Sequence, residues 1–118
     1  MPNYPSHLDS TFHALADPTR RAVIARLIQG PASVSELAEP FDMALPSLMQ
    51  HLKVLETGGL IRSEKAGRVR TCRLETDRLS EAQDWLSRQR ALWETRLDRL
   101  DAYLKDMAAK ERADDPET

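Results

Sequence analysis

Three kinds of residue in this 118-residue chain could do chemistry: one thiol, Cys72; three imidazoles, His7, His13 and His51; and a run of cations between residues 53 and 73. Thiols and imidazoles bind zinc-like metals when they recur at short, fixed spacings. These four are scattered and show no such spacing. A single cysteine also excludes a disulfide framework within the chain. No nucleophile is paired with a base, no glycine-rich loop is shaped to cradle a phosphate, and no carboxylate pair suggests a pocket, so the residues do not read as an enzyme. The cations are different. Residues 43–74 carry Lys53, Arg62, Lys65, Arg68, Arg70 and Arg73 against only Glu56 and Glu64. Both flanks are acidic, and the whole chain carries a formal charge of −2. A basic island in an acidic chain points to a polyanionic partner more than the total charge does.

The surrounding pattern shows what must position those cations. Leu8, Phe12 and Leu15 recur at helical spacing on one face. Asp17-Pro18 reads as an N-cap followed by proline at the first helical position. The helix it opens carries Val23, Ile24, Leu27 and Ile28 as its apolar stripe and stops at Gly30-Pro31. Ser33 and Glu36 have capping-box spacing at the start of a short helix with Val34, Leu37 and Ala38 inward, ended by Pro40. Pro46 opens a fourth helix whose core face is Leu48, Leu52 and Leu55, and Thr57-Gly58-Gly59 ends it. Residues 61–74 then alternate like a hairpin, with Ile61, Ser63 and Lys65 on one face and Gly67 supplying the positive φ of the turn. Arg68, Arg70 and Cys72 are expected to share one side of the returning strand. From Asp77 to about Lys110 a long helix is expected, about 50 Å in length. Along it Leu79, Leu86, Trp93, Leu100 and Met107 recur every seven residues, with Leu97 and Leu104 completing a heptad-like seam.

The predicted fold is mainly α: a winged helix-turn-helix of four helices, a two-stranded β-wing and a long C-terminal dimerisation helix. One domain is expected over residues 1–107, with 108–118 a disordered tail. In such an arrangement the helix over 46–57 enters a DNA major groove and the wing over 61–74 reaches the flanking backbone or minor groove. On a helical wheel Ser47, Gln50, Lys53 and Val54 lie opposite the leucines. Gln50 can donate to and accept from one adenine edge; Lys53 suits phosphate. As ordinary solvated residues they would need no such partner, and it is the basic wing that favours DNA. His51 sits at the border, where it either packs internally or tips into the groove. Ala44 and Leu45 precede Pro46 where a polar cap is expected, which leaves the first N–H groups open to a phosphate.

The segments "LADPTRR", "VSELAEPF", "QHLKVLE" followed by "GLI", and "GRVRTCRL" occur in order over about residues 8–105. Together they resemble the ArsR-type (SmtB-like) winged-helix regulators. The resemblance implies a homodimeric transcriptional repressor that reads a palindromic operator with two recognition helices and two wings. Its members pair through their first and last helices, and many are released from DNA by a metal ion or an oxidant. Their best-known metal site is a C-x-C pair, and the aligned positions here are Ser33 and Ser35. A second site uses Asp, His and Glu on the last helix, which here has no histidine. Hydroxyls are poor substitutes for thiolates around a soft metal. The chain therefore resembles the subgroup without recognised metal ligands, and neither a metal nor a cofactor is expected.

The expected DNA-contacting residues are Ser33, Ser35, Leu45, Ser47, Met49, Gln50, His51, Lys53, Lys65, Arg68 and Arg70. The expected dimer interface is Leu8, Phe12, Leu79, Leu86, Trp93, Leu97, Leu100 and Leu104. Double-stranded operator DNA and a second copy are the implied partners; the sequence names no inducer. Two further readings stay open: a sensor of a small molecule or oxidant, bound between the long helices or at Cys72, and a winged helix that docks a protein. No apolar run is long enough for a membrane span, the N-terminus lacks secretion-signal character, and a cytoplasmic location is expected.

Overall fold

The computed structural model describes residues 7–114. Five helices and three strands follow in the order α1 (Leu8–Leu15), α2 (Pro18–Ile28), β1 (Ala32–Ser33), α3 (Val34–Ala38), α4 (Leu45–Thr57), β2 (Ile61–Ala66), β3 (Val69–Leu74) and α5 (Asp77–Asp114). The fold is mainly helical with a small antiparallel sheet of strand order β1-β3-β2. The two-stranded wing, β2–β3, is present as expected, and a third strand, β1, joins its sheet beside β3. The added strand, β1, is only two residues long and pairs Ala32 with Cys72 and Ser33 with Thr71. Two residues carry no periodicity, so a pattern reading passes over them.

The local reasons for the elements are those of the sequence in most places. Asp17 caps α2, its carboxylate accepting from the Arg20 N–H at 3.0 Å, with Pro18 at the first helical position. Ser33 and Glu36 form a complete capping box: Ser33 Oγ accepts from the Glu36 N–H, and Glu36 Oε1 accepts from the Ser33 N–H, both at 3.1 Å. At the end of α4 the Leu60 N–H reaches the Leu55 carbonyl at 2.9 Å and the Gly59 N–H reaches Glu56 at 3.0 Å. This is a Schellman closure, and it places Gly59 at φ 75°, where a Cβ would come within 2.8 Å of Arg78 Nε.

The chain divides between Gln83 and Asp84 into two compact units. In the first, Val23, Ile24 and Leu27 of α2, Leu37 of α3, Leu48, Leu52 and Leu55 of α4, and Cys72 of β3 form one buried core. Helix α1 buries Thr11 and Ala14, and its Phe12 is exposed. Two expectations are corrected here. Ile28, the last residue of α2, is exposed, although Leu27 beside it is buried. Val54 packs partly against the core instead of facing away from it. In the second unit, α5 continues to Asp114, beyond the expected end near Lys110 and through part of the expected tail. Residues 115–118 lie outside the described residues, as do residues 1–6. From Asp84 to Ala113 every side chain but Ala108 is exposed.

Candidate nucleic-acid interface

The face that could meet a polyanion is built from α4 and the hairpin β2–β3. Three fully or nearly buried leucines, Leu48, Leu52 and Leu55, fix the inner side of α4. That leaves Ser47, Met49, Gln50 and Lys53 exposed on its outer side. The hairpin closes through a two-residue turn, Gly67-Arg68, with Ala66 paired to Val69 and Gly67 at φ 64°. Arg68 therefore sits in the turn, not on a strand face with Arg70 as expected.

Strand register decides where the other cations go. Ser63 pairs with Cys72, and Lys65 with Arg70. Directly opposed residues share a face, so Lys65 and Arg70 stand side by side on the face that holds Ser63 and Cys72. A second like-charge pair, Arg62 and Arg73, lies on the opposite face, where Arg62 Nε meets Glu75 Oε1 at 3.3 Å. Like charges directly across a sheet are destabilising. Glu75 offsets the Arg62–Arg73 pair, whereas neither Lys65 nor Arg70 has an ion-pair partner among the described residues.

A hydrogen-bonded chain holds this wing to α4. Arg70 Nη1 donates to Ser63 Oγ at 3.0 Å, and Ser63 donates to Glu56 Oε1 from its hydroxyl at 3.1 Å and its backbone N–H at 3.3 Å. A glutamate in the last turn of a helix opposes the helix dipole; at Glu56 the wing supplies the compensating donors. Sequence reading missed both Glu56 and Ser63. The misplaced charge at a helix end was the available signal.

Between α4 and the wing lies a cleft of about 520 Å³, with Met49, Gln50, Leu52 and Lys53 on the helix side and Ile61, Ser63, Arg70 and Cys72 on the wing side. Lys53, Lys65 and Arg68 have no ion-pair partner among the described residues, so their charges remain available to a partner.

His51 takes the internal alternative. Its Nδ1 lies 3.2 Å from Arg20 Nη1 and 3.7 Å from Asp17 Oδ2. Arg20 also donates from Nε to the Ala14 carbonyl at 2.7 Å and from Nη2 to His13 at 3.0 Å, while Arg21 Nη1 reaches Leu15 at 2.8 Å. These two arginines cap the open carbonyls of α1, a role their sequence context did not disclose. The Arg20 backbone N–H holds the Asp17 carboxyl below its ordinary pKa, with His51 and Arg20 charges adding to the effect.

Leu45 is the first residue of α4 and Ala44 the cap, which offers no side-chain acceptor. The Ser47 and Leu48 N–H groups both reach the Ala44 carbonyl, at 3.0 and 3.2 Å. Pro46 has no N–H. Only the Leu45 N–H of the first turn stays open, fewer donors than expected. Ser33 Oγ is occupied as a helix cap, whereas Ser35 is exposed.

Cys72 is 1% exposed, and burial, with Glu56 nearby, pushes its thiol pKa up despite Arg70. A raised pKa makes a poor nucleophile and a slow target of oxidants. Among the described residues no three His, Cys, Asp or Glu side chains come together to hold a metal ion. Also among them, no helix is long and apolar enough to cross a membrane.

Of the expected dimer residues, Leu86, Trp93, Leu97, Leu100 and Leu104 are all exposed along α5, and Phe12 on α1 is exposed too. Leu8 is half-buried. Leu79 differs: it packs partly against the core of its own chain. Exposed Leu92 and Tyr103, off the seven-residue repeat, were not anticipated.

A family profile described as a helix-turn-helix domain matches residues 15–64. The chain is 45% identical over 67 residues to the HTH-type transcriptional regulator Rv2034 of Mycobacterium tuberculosis, a match covering 57% of this chain and 63% of that protein. It is 29% identical over 79 residues to the transcriptional repressor SdpR of Bacillus subtilis, covering 67% of this chain and 88% of the repressor. The match thus spans less than two thirds of the Mycobacterium regulator's length. Among solved structures, an ArsR family transcriptional regulator superposes with a TM-score of 0.73 at 57% identity, covering 80% of this chain and 97% of that one. On this fold, these motifs and these relatives, the chain belongs to the ArsR family of winged helix-turn-helix transcriptional regulators, which bind DNA and are not enzymes.

Proposed function

We propose that the chain is a homodimeric repressor that binds a palindromic operator without a metal-sensing site. Helix α4 enters the major groove, where Gln50 reads a base edge and Ser47, Met49 and Lys53 line the approach. Lys65, Arg68 and Arg70 of the wing meet the flanking phosphates or the minor groove. The carrying observation is the pair Lys65–Arg70, set side by side on the face of the wing that is tied to α4 through Ser63 and Glu56. A polyanion turns that repulsion into attraction. The dimer reading rests on the exposed seam Leu86–Trp93–Leu97–Leu100–Leu104, with Leu8 and Phe12 as its α1 contribution. A regulator of this kind works where its DNA is, in the cytoplasm.

Hydroxyl-radical footprinting on DNA upstream of the chain's own coding region tests the proposal. Two protected half-sites about 10 base pairs apart, or a multiple of that, are expected. Gln50→Ala should cost about 1–3 kcal/mol at one base-pair position per half-site. Loss that is equal on operator and random duplex would remove Gln50 as the base reader, and a single unrepeated footprint would remove the symmetric dimer.

A further inference from the structure

The cleft between α4 and the wing has features that DNA contact does not require. Leu52, Ile61 and Cys72 are buried and form its floor, with Met49 beside them. Phosphates are strongly hydrated and gain nothing from an apolar floor. In the proposed DNA complex phosphate contact needs only the cations Lys53 of α4 and Arg70 of β3, both of which line the cleft. The cleft's volume of about 520 Å³ lies within the span usual for small-molecule sites, which pair apolar walls with a few fixed polar groups.

From these features we infer that the cleft is an effector site for a small aromatic carboxylate, and that such a ligand and operator DNA exclude one another. The charge balance selects an anion. Two cations, Lys53 and Arg70, line the cleft against one carboxylate, Glu56, and Glu56 is already engaged by the Ser63 N–H and hydroxyl. Arg70 spends one N–H on Ser63 Oγ, which orients the guanidinium and leaves its other donors for a ligand carboxylate. The ring system lies on Leu52, Ile61 and Cys72, with the Met49 thioether against it, a favourable contact for an aromatic. Ligand and DNA then compete for the same groups, Gln50, Lys53 and Arg70. Release from DNA needs no metal, no reactive thiol and no movement relayed from another site. The exclusion rests on the proposed DNA-binding role; occupancy of the cleft does not.

The test uses the full chain labelled with ¹⁵N and titrated with 1-naphthoate, with neutral 1-naphthalenemethanol as control. Saturable shifts are expected at the Gln50, Ile61, Ser63 and Cys72 amides, with the alcohol weaker by about tenfold or more, as loss of a charge-assisted contact predicts. Arg70→Gln should weaken naphthoate by about the same factor and Arg70→Lys by less, because it keeps the charge. Arg62→Gln, on the opposite face of the wing, should leave the affinity within about twofold, a difference too small for a lost ion pair. Shifts confined to α5 or to the α2–α3 surface, or an Arg70→Gln variant that binds naphthoate unchanged, would overturn the site. In a parallel anisotropy experiment, saturating naphthoate should displace labelled operator. Naphthoate in the cleft of a protein without DNA affinity would leave the site standing and overturn the DNA reading; bound DNA that saturating naphthoate fails to displace would overturn the exclusion.

Discussion

Single side chains in this protein often answer to two demands at once. Gln50 and Lys53 are exposed because Leu48, Leu52 and Leu55 claim the other side of α4, and that division was legible in the spacing of the leucines. His51 was not legible, because its fate depends on Arg20 and Asp17, which reach it from α2 across about thirty positions of sequence. Nor was Arg70, which spacing assigns to a face but only the strand register sets opposite Lys65. Thr11 shows a cost at this scale. It is 1% exposed, and its hydroxyl has no hydrogen-bond partner among the described residues. An unsatisfied buried hydroxyl is destabilising. Thr11→Val, close in shape, should therefore raise the stability by about 1 kcal/mol in urea unfolding. An unchanged or lower midpoint would mean that the hydroxyl finds a partner in solution.

Several elements begin and end where capping chemistry dictates, and those boundaries could be read in advance; α1 and α4 begin without a side-chain cap. Asp17-Pro18, the Ser33–Glu36 box and Gly58-Gly59 all act in the structure as their residue types demand. Strand β1 escaped because two residues have no pattern of their own; it exists only through pairing with β3. The two capping carboxylates also set a pH dependence. Backbone N–H donation, from Arg20 to Asp17 and from Ser33 to Glu36, holds both below their ordinary pKa. Groups depressed in the folded state add stability above their unfolded pKa and lose it as the pH falls through the folded value. The melting temperature should then drop as the pH falls from about 5 toward 2. An Asp17→Asn/Glu36→Gln variant keeps side-chain acceptors at both caps but lacks the charges, and should show a shallower drop. Parallel curves for the two proteins would assign the acid sensitivity to other groups.

At the scale of the molecule, the fold was legible because independent signals agreed: apolar periodicity, caps, turn glycines and a basic hairpin after a short helix. The long α5 was legible as a heptad seam, yet its extension to Asp114 and the off-seam Leu92 and Tyr103 were not, since solvated helical residues carry little pattern. In the proposed dimer the exposed Leu86, Trp93, Leu97, Leu100 and Leu104 of α5 supply the apolar contact surface. Trp93→Asp should convert the protein to a monomer in sedimentation equilibrium and, by separating the two reading heads, weaken operator binding by about 10²-fold or more. A monomer that still bound the full operator tightly would refute the seam. The most direct measurement of the central claim, that α4 and the wing together bind DNA, is fluorescence anisotropy on the upstream palindrome and a scrambled duplex over a salt series. Wild-type protein should prefer the palindrome and lose affinity steeply with salt. Arg68→Ala and Arg70→Ala should each flatten the slope by about one unit per lost phosphate contact on both duplexes. No binding to either duplex, or salt slopes unmoved by both substitutions, would contradict the account.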